Sequence, residues 1–201
     1  MKILHIIDYF QPQLGYQETY LAREQIKAGH NVAVVTSDRY RKIFFQGGGA
    51  KPILGARKRE DGFSLENEIP VYRLPVKFEL VSRIWLSGLE KKIAELAPDA
   101  IHIHGLISLT SFRTALAVSR DSALRETVLL VDDHMYPEVS NTPLKIIYPF
   151  LRPVLIPQIR RAADWIVGVS SATRDFMVSH YGLAEDEIRI IRLGVDDQLF
   201  G

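Results

Sequence analysis

Ile3-Leu4-His5-Ile6-Ile7 is a short apolar run, followed by a loop holding Pro12 and Gly15 and by a helical pattern through Tyr20, Leu21 and Ile26 that stops at Gly29. Val32-Ala33-Val34-Val35-Thr36 comes next. Strand, loop, helix and strand in that order make a βαβ unit, and strands this continuously apolar belong to a parallel sheet covered on both faces. The same grammar recurs downstream. Further strands are expected at Ala100–His104, Thr127–Val131, Trp165–Val169 and Ile188–Leu193. Helices are expected at Ser82–Leu96, Ser108–Arg120, Leu144–Ala163 and Ala172–Tyr181. Strands alternating with helices define an α/β fold, a Rossmann-like doubly wound sheet, mostly parallel, with helices on both faces.

The 201 residues read as one domain, residues 1–201. Hydrophobic residues make up 47% and charged residues 24%, a balance that sustains a packed core and excludes whole-chain disorder. Lys+Arg 25 against Asp+Glu 24 leaves a formal charge of +1, which offers no field for capturing nucleic acid. The chain has no cysteine, so thiolate metal sites, disulfides and cysteine nucleophiles are excluded. The opening apolar run is too short for a secretory signal, and no stretch reaches the roughly 18 apolar residues of a spanning helix. A cytoplasmic protein is expected.

Residues 39–68 break the pattern with Gly47-Gly48-Gly49, Gly55, Gly62 and the charged run Arg57-Lys58-Arg59-Glu60-Asp61. The expectation is a long mobile surface loop, either a lid that grips an acceptor or a solvated insertion. Val71-Tyr72-Arg73-Leu74 then reads as a short strand. The basic amphipathic stretch Leu144–Arg161 suits either packing on the sheet or peripheral contact with a membrane surface, with Pro149, Pro153 and Pro157 interrupting it.

Ligands of open parallel sheets collect beyond the carboxyl ends of the strands, which directs attention to the segment after each one. After the first lie Tyr9, Pro12, Gly15, Tyr16 and Glu18, a Pro/Gly loop opening a helix and so able to present backbone N–H groups to an anion. A dinucleotide-binding enzyme is an alternative reading, disfavoured because G-x-G-x-x-G is absent and only Gly15 is present. His102 and His104 sit two apart on a strand and share a face, ahead of Gly105. With no further acidic or histidine ligand at metal spacing beside them, no metal is assigned, and His104 and Gly105 are candidate cleft residues. Asp133 and His134 follow the strand at Thr127–Val131, where a histidine can donate to a developing anion or a substrate hydroxyl. Ser170-Ser171 stands at a strand-to-helix junction without G-x-S-x-G, so Ser171 is expected to cap the helix and Ser170 to lie near the cleft.

Taken together, Phe10-x-Pro12-x-x-Gly15-x-x-Glu18, Leu21-Ala22 and Ala28-Gly29-His30-x-Val32-x-Val34-Val35-Thr36 resemble the opening of the family 4 glycosyltransferases of the GT-B fold. Pro98–Gly105, Ala163–Ser170 and Arg192-Leu193-Gly194-Val195-Asp196 resemble later motifs of that family in the same order, the last matching its P-N-G-V-D linker motif. The resemblance implies the acceptor-side half of a retaining transferase. Such an enzyme uses a nucleoside diphosphate sugar as co-substrate, without a metal or covalent cofactor, and transfers the sugar to a hydroxyl of a glycan or lipid-linked acceptor. It further implies that the interdomain linker begins at about 193–201 and that the donor-binding half is supplied elsewhere, in the same chain or by a separate subunit. The Gly15 loop then lies beside the donor phosphates, and His134 matches the histidine that contacts the transferred sugar. Two positions depart from the family: Tyr16 replaces a second glycine and Leu193 replaces the linker asparagine. A non-catalytic acceptor-binding module, or one subunit of a split transferase, is the alternative.

Overall fold

The computed structural model describes residues 1–46, 51–80, 83–134 and 144–194. Ten strands are present among them. Eight form one sheet in the order β10-β9-β8-β7-β1-β2-β4-β3, and β5 with β6 forms a separate hairpin. The central strands are β1 (Lys2–Ile7), β2 (Asn31–Ser37), β7 (Ala100–His104) and β8 (Val128–Asp133). The flanking strands are β3 (Gly62–Glu66), β4 (Ile69–Leu74), β9 (Trp165–Gly168) and β10 (Ile188–Ile190). All neighbours run parallel except β3, which folds back antiparallel on β4. The expected doubly wound α/β sheet is present.

Alternation along the central strands assigns each face. Leu4 and Ile6 of β1, Ile101 and Ile103 of β7, and Leu129 and Val131 of β8 point into the main core. That core is completed by Leu89 and Ile93 of α3 (Leu89–Leu96), Ala115 of α4 (Leu109–Arg120), and Leu155, Ile156 and Ile159 of α5 (Leu144–Ala162). The opposite face packs Val32, Val34, Ile69 and Val71 against Ala22 of α1 (Gln17–Lys27). His5 sits on this second face between Ile3 and Ile7, which puts an imidazole beneath α1.

Residues 39–68 are more structured than the expected loop. A 3₁₀ turn at Lys42–Phe45 and the short helix α2 (Lys51–Leu54) are followed by β3, where Phe63 pairs with Tyr72 and Leu65 with Pro70. The period-two pattern from Phe63 to Leu65 wins over the glycines around it. Gly47-Gly48-Gly49 lie outside the described residues. The helix expected at Ser82–Leu96 is likewise shorter. Ile84 and Leu86 belong to β6 (Arg83–Leu86), which pairs with β5 (Val76–Leu80), and Gly88, at φ +75°, turns the chain into α3. In α5 the three prolines do not interrupt the helix. They recur every fourth residue and all three are exposed, whereas Leu155, Ile156 and Ile159 are buried. The last helix, α6 (Ser171–Phe176), continues as a π turn to Tyr181.

Candidate active site

Chain order reverses between β1 and β7, and the crevice at that switch point is where a parallel sheet receives ligands. A cavity of about 460 Å³ lies there, open to one side. It is lined by the ends of β1 (Ile7, Asp8), β7 (His104, Gly105) and β8 (Asp133), with His134 directly after. Its remaining wall includes Tyr9, Gly15, Tyr16 and Glu18, together with Arg41, Phe44 and Arg83.

Local backbone explains the two glycines. Gly15, at φ +64°, ends the 3₁₀ turn Pro12–Leu14 and swings the chain into α1, which lets Tyr16 begin that helix at the cavity edge. Gly105, at φ +102°, leaves β7 in a conformation open to glycine alone at low cost, and its N–H donates to the Asp132 carbonyl at 3.0 Å. Ser108 then caps α4 by accepting from the Ser111 N–H.

Below the cavity floor the strand register assembles a polar cluster that linear spacing conceals. His5 pairs with His102 and Asp132 with His104, so side chains from β1, β7 and β8 meet on one face. Gln25 Oε1 lies 2.7 Å from His5 Nε2, and His5 Nδ1 lies 2.9 Å from His104 Nε2. Asp132 Oδ2 is 2.9 Å from both His102 Nε2 and His104 Nδ1, while its Oδ1 is 3.2 Å from His134 Nε2. The Gln17 amide also touches His134 Nε2.

Charge in this cluster is asymmetric. Burial pushes His5 well below the ordinary imidazole value, helped by His104 and His102, and burial likewise lowers His102. Burial alone would raise Asp132, but His104, His102 and His134 outweigh it and hold its carboxyl well below the usual range. For His134 burial acts downward, yet its hydrogen bond to Asp132 and the charges of Asp132, Asp133 and Glu18 raise it above 6.5. The result is a buried carboxylate beneath a readily protonated imidazole that faces the cavity. Two further acids are pushed upward by burial, Glu18 and Asp8, the latter to about 6.

The metal expectation needs correcting on one point. His102 and His104 do share a face, but they are not alone: His5 joins them, and His104 also stands with Asp132 and His134, each trio holding its ligand atoms within 4.8 Å. Many of those atoms already lie at hydrogen-bond distance from another member, so the cluster closes on itself as a network.

Of the residues singled out in the sequence, Tyr9, Gly15, Tyr16, Glu18, His104, Gly105, Asp133 and His134 line the cavity. Pro12 does not; it is buried at the start of the turn that carries Gly15. Ser170 does not either. It, rather than Ser171, is the N-cap of α6, accepting from the Thr173 N–H at 3.1 Å. The sequence reading missed Asp8, Arg41, Phe44 and Arg83 as lining residues, and His5 and Asp132 as network members. Asp8 and Asp132 had a usable signal, standing at the carboxyl ends of β1 and β8; the others have none.

An open α/β sheet with its cavity at this switch point is one Rossmann-like half of a GT-B architecture. The chain belongs to Glycosyltransferase Family 4, which it matches over residues 19–199. No curated protein matches it in sequence. Among solved structures, the catalytic domain of starch synthase IV from Arabidopsis thaliana, bound to ADP and acarbose, superposes with a TM-score of 0.54 at 10% identity. It covers 98% of this chain, and 52% of its own length is matched. The UDP-N-acetylglucosamine 2-epimerase from Rickettsia bellii gives a TM-score of 0.50 at 15% identity, covering 94% of this chain and 43% of that one. The chain thus spans about half the length of these structures, and at such identities the likeness concerns the fold. Among the described residues, no helix is long and apolar enough to cross a membrane.

Proposed function

We propose that this chain is the acceptor-binding half of a retaining glycosyltransferase that moves a sugar from a nucleoside diphosphate donor to a hydroxyl of a glycan or glycolipid. The observation that carries this reading is the meeting of His134, supported from below by Asp132, with the Gly15 loop in one cavity at the sheet's switch point. A protonated imidazole there donates to a hydroxyl of the transferred sugar or to the oxygen developing charge as the diphosphate departs. Most of the diphosphate's charge would be met by the second half, in the same chain or a separate subunit. His134 then acts by holding the sugar rather than as sole proton acceptor. The cytoplasm supplies nucleotide sugars, and a lipid-linked acceptor would bring the exposed side of α5, with Phe150 and Val154, to the inner face of a membrane.

The test is sugar transfer by the protein containing both halves, supplied with a panel of labelled nucleoside diphosphate sugars and followed by NMR of the anomeric proton. Transfer with retained configuration is expected, and none from residues 1–201 alone. Transfer with inversion removes the retaining assignment. A two-half protein that neither transfers nor hydrolyses any donor removes the transferase reading in favour of a non-catalytic binding module.

A further inference from the structure

Elsewhere in the molecule, most arginines at or near burial have a carboxylate. Arg73 grips Glu66, Arg113 grips Glu90, and Arg57 and Arg39 share Glu79. The cavity holds two arginines that do not, the half-buried Arg83 and the exposed Arg41. Arg41 precedes the turn Lys42–Phe45 and Arg83 opens β6, and neither has an ion pair or hydrogen bond to an acid among the described residues. Arg83 Nε is shielded from water and without a hydrogen-bond partner. The acid that feels both guanidinium charges is Asp8, so one carboxylate faces two cations. Glu18 and Asp133 are engaged instead with the His104 and His134 side of the cavity.

Aromatic rings flank the same end. Tyr16 is 41% exposed, and its ring centroid stands 6.1 Å from that of Phe44 at an interplanar angle of 44°. Two tilted rings at a cavity mouth offer an apolar platform for the C–H face of a sugar, and a planar guanidinium fork matches a carboxylate or phosphate. Such a fork left unpaired is worth most to a ligand that brings the missing charge.

We propose that the acceptor is an anionic sugar, its ring against Tyr16 and Phe44 and its carboxylate or phosphate held by Arg41 and Arg83. Asp8 lies beside that pair and accepts a hydrogen bond from a ring hydroxyl. The inference rests on the acceptor-side reading of the cavity and adds the chemical class of the acceptor. It also gives a role to Tyr16, the position where a second glycine would be expected: the ring that fills the gap is the ring that holds the sugar.

The test titrates the chain with glucuronate, glucose 6-phosphate, glucose and inorganic phosphate, followed by calorimetry and by NMR of the tyrosine rings. At least one anionic sugar should bind about 10-fold or more tightly than glucose. Which of the two does so separates a carboxylate from a phosphate as the recognised group. The double variant Arg41→Gln/Arg83→Gln should bind it no better than glucose, and Tyr16→Ala should weaken charged and neutral sugars alike. Should the double variant not fold, higher ionic strength applied to the unaltered chain should erase the same advantage. Equal affinity for glucose and the anionic sugars overturns the proposal, as does an advantage that survives in the double variant. Inorganic phosphate that binds alone and is displaced by no sugar overturns it too, by leaving an anion site without a sugar site. Absence of any saturable binding is equally fatal, and in that case transfer to neutral acceptors by the two-half protein would still uphold the transferase reading.

Discussion

Asp132 supports His134 from beneath the cavity floor, its Oδ1 3.2 Å from the imidazole Nε2, while its other oxygen is shared by His102 and His104. One carboxylate therefore organises three imidazoles. The stability it lends has two pH edges. Asp132 is held low, so its share is present above the ordinary carboxylate range and is lost as pH falls through its folded value. His134 is held high, so its share is present below the ordinary imidazole value and is lost as pH rises through its folded value. The pair contributes most between about pH 4 and 6.5. Asp132→Asn should lower the His134 pKa, read from its ring protons in an NMR titration. Asp132→Ala should cost about 3–5 kcal/mol in denaturant unfolding, because the imidazoles around it are left without the carboxylate that accepts from them. An unmoved His134 titration would detach the imidazole from Asp132.

Asp8 makes a prediction of opposite sign. Its carboxyl is raised to about 6 chiefly by burial, with Thr110, Arg83 and Arg41 pulling it back. A raised acid favours the folded state when protonated, so stability should fall as pH climbs from about 4 to about 6 and then level off. Asp8→Asn removes that slope and should stabilise the fold at pH 7 by up to about 3 kcal/mol, the linkage value of the shift. Chemical unfolding of both forms across this pH range decides it. A residue whose replacement stabilises the protein is kept for what it does in the cavity.

The sheet was readable because β1, β2, β7 and β8 are apolar runs bounded by turn residues, and because burial on both faces demands such runs. The stretch Ile84, Leu86, Leu89, Ile93 misled for a physical reason. Its spacing fits a helix nearly as well as a strand followed by a helix, and only the positive φ at Gly88 separates them. At the site, residues next to strand ends were visible by rule, so His104, Asp133 and His134 were found. The network beneath them was not: His5 and His104 are 99 positions apart and meet only through the β1 to β7 register. Arg41 and Arg83 reach the cavity from segments whose course depends on tertiary packing, which no local pattern encodes.

Arg73 ties the two central strands β1 and β2 to β3 from a fully buried position. At 2% exposure it forms a two-point pair with Glu66, both contacts at 2.7 Å, and donates to the carbonyls of Ser37 and Phe10, thereby tying the ends of β1 and β2 together. Arg73→Met leaves Glu66 buried without its partner and should cost about 3–5 kcal/mol. Pairing it with Glu66→Gln should recover part of that loss, a non-additivity that thermal unfolding of the two single variants and the double variant would measure. Strict additivity would show that the ion pair contributes nothing.

His134→Ala bears most directly on the proposed chemistry. If the imidazole donates only where charge develops, its loss lowers kcat and kcat/KM together, by about 10²-fold, in the protein containing both halves. If it merely binds the sugar in the ground state, KM rises and kcat holds. The raised pKa sharpens the distinction, because donation requires the protonated form: turnover should fall as pH rises through the His134 value, above 6.5, and Asp132→Asn should move that fall to lower pH. The linked shift is what a purely structural role for Asp132 would not produce. A pH profile that stays in place in Asp132→Asn, with kcat unchanged in His134→Ala, would put the chemistry elsewhere in the cavity.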